Sequence, residues 1–238
     1  MPTQECLAQF DAVKARTIFC LWTGNEVMSE NRLRALWSIF KNSGCPVAFI
    51  TRDTVAEWVR DDAPLHAAFP YLSSTHKADY LRCYLMYHYG GGYADIKNTN
   101  RCWGEFFDQL EKSDRQALGY RELAHGIPHV SGALGDTIRA SHQELIGLCA
   151  FIFKRHSELS GAWLSRTNAL LDQKLEQLRQ FPAQHPQDQT GVIMPDGTKS
   201  AYPLRWAELL GEIFHPLIYE NRSQLLQAPI EPVFSAYR

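Results

Sequence analysis

Residues 76–98, HKADYLRCYLMYHYGGGYADIKN, decide how this 238-residue chain is read. Leu81, Tyr84, Leu85 and His88 stand at i, i+3, i+4 and i+7, one mostly apolar stripe. Asp79, Arg82, Cys83 and Met86 repeat that spacing on the opposite face. The pattern predicts an amphipathic helix, with Ser73, Ser74 and Thr75 as N-cap candidates and Gly90 to Gly92 as C-cap and turn. Three glycines exceed what a C-cap needs. Glycine also lets backbone approach a ligand closely, so a substrate is expected to pass over Gly91 and Gly92. The chain then restarts as a very short strand, Tyr93-Ala94-Asp95-Ile96, which delivers an acid to a strand end. Asp79, Arg82 and Asp95 are thereby expected within reach of one small polar ligand. The plain alternative for Asp79 and Arg82 is an exposed i, i+3 ion pair, worth roughly a few tenths of a kcal/mol.

Outward from this stretch, Thr17 to Trp22 is a continuous β-prone apolar run broken by Thr23-Gly24-Asn25, as a buried first strand of a parallel sheet would be. A helix is expected from Ser29 to Asn42, with Leu33, Leu36, Trp37 and Phe40 at helical spacing, and a buried strand over Val47 to Thr51. A short helix near Thr54 to Val59 precedes an irregular loop over Asp61 to Leu72. Strand, helix, strand, helix, strand predicts an α/β domain with a mostly parallel, Rossmann-related sheet flanked by helices. An aromatic at a strand's carboxyl end can stack on a nucleotide base, where open α/β sheets bind ligands, so Trp22 is a base contact or simply core. Further on, strands are expected at Ala117 to Tyr120 and Leu148 to Phe153, and a long helix from Leu159 to Phe181 closed by Pro182. Ala183 to Pro203 is rich in turn formers, which suits a surface connection or a mobile lid or acceptor-site loop. Arg205 to Leu210 is expected to be helical, followed by Gly211 to His215.

Composition narrows the class. A chain of 238 residues can bury a substantial core as one domain, and it carries no repeat or low-complexity tract. Its net charge of −2 argues against a nucleic-acid partner. Six scattered cysteines, Cys6, Cys20, Cys45, Cys83, Cys102 and Cys149, lack CxxC spacing and several fall inside apolar runs. That is the usage of reduced, buried thiols rather than of a disulfide framework or zinc site. No apolar run reaches the length of a membrane span and no cleavable signal is recognisable, so a cytoplasmic protein is expected.

The composite in residues 78–95 resembles glycosyltransferases with a GT-A fold, in particular glycosyltransferase family 32 and its relatives. These include yeast initiating mannosyltransferases, bacterial capsular polysaccharide enzymes and, more distantly, clostridial glucosylating toxins. Their shared pattern is a small residue, Asp, two residues, Arg, an apolar helix, Gly-Gly, an aromatic and Asp-x-Asp. Ala78-Asp79-Tyr80-Leu81-Arg82, Gly91-Gly92-Tyr93 and Asp95 match in order and spacing, and Trp22-Thr23-Gly24 resembles the family's Trp-x-Gly segment. Where the family has the second acid of Asp-x-Asp, this chain has Lys97.

The resemblance implies one GT-A domain over residues 1–238, with residues 1–100 binding the nucleotide sugar and residues 101–238 on the acceptor side. It implies transfer of a hexosyl unit from a UDP- or GDP-sugar to a polysaccharide or lipid-linked glycan, with retention, of the capsule-synthesis type. A lipid-linked acceptor would be met at the inner face of the membrane, by peripheral contact. Asp79 and Arg82 would grip donor hydroxyls, Trp22, Thr23 and Gly24 would meet the nucleoside, and Asp95 would orient the diphosphate or hold a metal. The implied cofactor is manganese or magnesium, with Asp95 and His215 as ligands, because a diphosphate leaving group needs its growing charge neutralised. Asp188 is a lesser candidate. One carboxylate beside an ammonium is a poorer cradle for a metal, while Lys97 can itself meet a phosphate as a point charge. Two other readings stay open: a sugar-phosphate transferase holding phosphate on Lys97 and Arg82, and a noncatalytic nucleotide-sugar or glycan-binding protein in which Lys97 marks a lost metal site.

Overall fold

Alternation along the first strand divides the core. In β1 (Ile18–Trp22), Phe19 and Leu21 face one apolar cluster while Ile18 and Cys20 face another. Both sides of a central strand must then be covered, which leaves no polar face and explains the unbroken apolar run. The computed structural model describes residues 15–128, 130 and 132–235. Cys6 therefore lies outside the described residues.

After β1, helix α1 (Glu30–Asn42), capped by the Ser29 side chain accepting from the Arg32 amide, returns to β2 (Val47–Thr51), parallel to β1. The face of α1 turned to the core differs from expectation. Ala35, Leu36 and Ile39 are buried, whereas Leu33, Trp37 and Phe40 of the expected stripe are 45%, 72% and 44% exposed. Short 3₁₀ turns at Val55–Trp58 and Phe69–Tyr71 lead into α2 (Ser74–His88), for which Ser73 is the N-cap.

Helix α2 is not amphipathic in place. Its second face, with Asp79, Cys83 and Met86, is buried as fully as Leu81, Tyr84 and Leu85. The reason is a further helix, α5 (Glu158–Gln180), whose Gly161 lies so near Tyr87 that an added Cβ would come within 3.2 Å of its ring. The glycine run also differs from expectation. Gly90 (φ +66°) makes the turn, but β3 spans Gly91–Ala94, two residues earlier than Tyr93–Ile96. A Cβ on Gly91 would stand 2.6 Å from the Thr17 carbonyl oxygen, and one on Gly92 would stand 3.0 Å from the Trp103 ring. These glycines serve close packing of protein against the start of β3.

The second half adds α3 (Gly104–Glu111), β4 (Ala117–Arg121), α4 (Gly132–Ala140), β5 (Ile146–Phe153), α5, α6 (Gly211–Glu220) and β6 (Leu225–Gln227). The result is a single α/β domain whose six-stranded sheet has the order β2-β1-β3-β5-β4-β6. Three of its five pairings are parallel; β5 runs against both β3 and β4. Helices α2, α5 and α6 cover one side around Phe151, Phe153, Trp163 and Phe214, while α1 and α3 cover the other around Ile39, Trp103 and Ile152. Residues 206–210, expected to be helical, form successive turns, and the helix begins only at Gly211.

Candidate donor-binding site

Strands β1 and β3 are parallel neighbours, with Ile18 opposite Gly92 and Phe19 opposite Tyr93, so their carboxyl ends open on the same edge. Asp95 stands one residue beyond β3, its amide bonded to the Cys149 carbonyl at 2.8 Å. Extended backbone keeps side chains two apart on one face, which brings Tyr93 and Asp95 together, and a bend at Ile96 and Lys97 folds the lysine back onto them. The Tyr93 hydroxyl donates to Asp95 Oδ1 at 2.7 Å, and Lys97 Nζ donates to Oδ2 at 2.6 Å. From α2, Arg82 lays its guanidinium over the Tyr93 ring, 4.5 Å from the centroid, with one terminal nitrogen 3.2 Å from Asp95 Oδ1 and 3.6 Å from Asp79 Oδ1. Asp79, Arg82 and Asp95 are thus together, as expected, and Lys97 joins them.

Burial sets the electrostatics. Burial alone would raise the Asp95 carboxyl, but Arg82, Lys97 and the Tyr93 hydroxyl outweigh it and hold the group well below the usual carboxylate range. At Asp79 burial wins over Arg82, with Asp95 adding to it, and the carboxyl is pushed up to about 7. Burial works against the Lys97 ammonium, yet Asp95 holds its pKa above the ordinary lysine value. Arg82 is less fully engaged than its charge allows. Its Nε is buried without a hydrogen-bond partner, and its bond to the Leu148 carbonyl is long, at 3.4 Å.

Around this centre, Trp22 is half-buried and its Nε1 donates to the Glu26 carbonyl at 2.9 Å. The Thr23 hydroxyl donates to the Ser74 carbonyl at 2.6 Å, tying the end of β1 to the start of α2. Gly24 borders Glu26, whose carboxylate would meet any added Cβ. His76, fully buried, contacts Ser73 Oγ, the Tyr202 hydroxyl and the Arg205 carbonyl, so the 183–205 segment is pinned to the N-terminus of α2. Asp188, expected as a lesser site residue, belongs to that segment. One of its oxygens accepts from the Gln184 amide at 2.9 Å.

His215 has other business than a metal. It is fully buried on α6, with Nε2 2.9 Å from Glu122 Oε2 and Nδ1 3.3 Å from the Gly211 carbonyl. Both ring nitrogens are taken, so the expectation that His215 joins Asp95 as a ligand is corrected. Among the described residues, no group of three or more His, Cys, Asp and Glu side chains could hold a metal ion. Both Asp95 oxygens accept from Lys97 and Tyr93, with Arg82 beside them, and a divalent ion there would face two fixed cations. The residues present do not fit the implied manganese or magnesium.

Three neighbours were not assigned to the site from the sequence. Tyr93 was legible as an aromatic, and its spacing of two from Asp95 was the signal that it shares the site. Cys149 Sγ lies 2.9 Å from Lys97 Nζ, and the Phe234 ring lies 5.3 Å from the same ammonium. Both come from far along the chain and carry no local signal. Val233 bonds to the Asn98 carbonyl at 2.8 Å, and a cavity of about 400 Å³ lined by Asn100, Arg101, Glu231, Pro232 and Val233 opens beside this crossing.

No family model and no curated protein matches the chain. Among solved structures it is similar to a chain described as "PaToxG Glycosyltransferase", with a TM-score of 0.48 and 12% identity over 91% of this chain and 75% of that one.

Proposed function

We propose that this protein is a glycosyltransferase of GT-A type that moves a hexosyl unit from a nucleotide diphosphate sugar to a polysaccharide or glycolipid glycan, with retention. The observation that carries this reading is the buried cluster at the strand ends. Asp79, Arg82 and Asp95 converge there, and the Arg82 guanidinium still has a buried donor to give. An ionised Asp79 accepts from vicinal sugar hydroxyls, and the Arg82 fork donates to hydroxyl or phosphate oxygens. In the transfer, the bond from the anomeric carbon to the diphosphate oxygen breaks and its electron pair leaves on the diphosphate. The acceptor hydroxyl oxygen bonds to that carbon on the same face and passes its proton to the departing oxygen. Fixed positive charge at the phosphates favours that transition state over the ground state. The half-buried Trp22 ring supplies a stacking face for the base at the same edge.

A thermal-shift panel of UDP- and GDP-sugars tests the donor, since a ligand of the native state raises Tm with its concentration over Kd. Analysis of the released nucleotide then tests the reaction. Nucleoside diphosphate is expected; release of monophosphate would instead support a sugar-phosphate transferase. Binding without turnover would leave a nucleotide-sugar-binding protein. Arg82→Ala should lower transfer about 10²-fold or more. Trp22→Ala should weaken nucleotide binding by about 1–3 kcal/mol with little change in Tm.

A further inference from the structure

We propose that Lys97 fills the place of the divalent ion, as a fixed ammonium seated on Asp95 that meets the donor diphosphate, so that this site binds its donor without metal. The inference rests on the nucleotide-sugar reading above and deepens it. The backbone first prepares the seat: the Lys97 amide donates to the Asp95 carbonyl at 2.7 Å, a tight turn that folds the lysine side chain back onto its neighbour. Its ammonium then lies 2.6 Å from Asp95 Oδ2, with Cys149 Sγ at 2.9 Å on another side. The side chain is 9% exposed, so the charge is held in position rather than dispersed in solvent.

Charge balance points the same way. A carboxylate pair holding a dication is neutral, and Asp95 with Lys97 is neutral already. Arg82 and Asp79 are common to both arrangements. The cluster therefore presents a diphosphate with the balance that a metal-loaded acid pair would give. Before donor binds, a dication added to the residues present would leave a charge of two uncompensated in a buried site, next to two cations. The Phe234 ring, 5.3 Å from the ammonium, adds an aromatic face beside it.

Calorimetry of UDP and GDP with the whole chain, once in excess EDTA and once in manganese, tests the inference. Equal affinity in both is expected. Lys97→Met should cost about tenfold or more for the diphosphate, the effect of losing a hydrogen bond to a charged group. Uridine and guanosine, which lack phosphates, should bind parent and variant alike in ligand-observed NMR. Lys97→Asp rebuilds the acid pair and should bind diphosphate only with manganese. If binding by the parent requires manganese, the inference is overturned and the nucleotide-sugar reading stands. Unchanged diphosphate affinity in Lys97→Met overturns it as well. Failure of both diphosphates under both conditions overturns both. The parent's metal dependence is read without a variant, so a substitution that prevents folding does not protect the inference.

Discussion

At Asp79 the carboxyl is 3% exposed, and burial has moved its titration from 3.8 to about 7. Arg82 and Asp95 face it across the site, and Cys83 and Tyr202 lie near enough to feel its charge. The folded protein keeps a proton that the unfolded chain releases above its ordinary value. The contribution of Asp79 to stability is thus complete below about pH 4 and is lost as pH rises through about 7. Binding runs the other way, because only the ionised form accepts from two sugar hydroxyls. Donor affinity should rise between pH 6 and 8, roughly spanning the Asp79 titration. Asp79→Asn should flatten that rise, as followed by calorimetry at several pH values. A parent profile already flat over this range would show that Asp79 does not act through its charge.

On the scale of elements, β3 bears two demands at its opposite ends, glycine at the start and carboxylate beyond the finish. Gly91 has φ +84° and lies against the Thr17 carbonyl. Gly91→Ala should therefore cost about 1–3 kcal/mol from backbone conformation alone, and more from the clash. Chemical denaturation should register that loss, while the variant that still folds binds nucleotide normally. Loss of binding at full stability would restore the idea that substrate crosses the glycines. The sequence made β1, α1 and β2 legible because the two strands are short apolar runs and the helix between them is closed by Ser43 and Gly44. The grouping of Asp79, Arg82 and Asp95 was expected from the helix, turn and strand read over two dozen residues, whereas Lys97 came into view only through the family resemblance. The direction of β5 was not legible, since hydropathy reports burial and not polarity of the chain. Neither was the exposed stripe of α1, where Leu33, Trp37 and Phe40 lost the core to Ala35 and Ile39 beside Leu36. His215 misled for a related reason: its partner Glu122 is 93 residues away and leaves no mark beside it.

Over the whole molecule, burial serves two opposed purposes, and substitutions should separate them. Trp163 is fully buried and meets Phe214, Phe151 and Phe153 with ring centroids at 4.8, 5.7 and 5.8 Å. Its removal deletes transfer energy and leaves a cavity, so Trp163→Ala should cost about 3–5 kcal/mol. That is a large part of a typical domain's stability of about 5–15 kcal/mol and should lower Tm by roughly ten degrees. Asp79 is nearly as buried, but at pH 8 it is a charge kept in a poor solvent, with Arg82 3.6 Å away rather than in close contact. Asp79→Asn removes that charge with little change in volume and leaves Arg82 paired to Asp95. The variant should melt at or above the parent's temperature at pH 8 while losing donor binding. Trp163→Ala should show the reverse, a low Tm with nucleotide binding retained well below it. If Asp79→Asn instead loses stability on the scale of Trp163→Ala, the carboxylate is a structural partner of Arg82, and the site is built from Arg82, Asp95 and Lys97 without it.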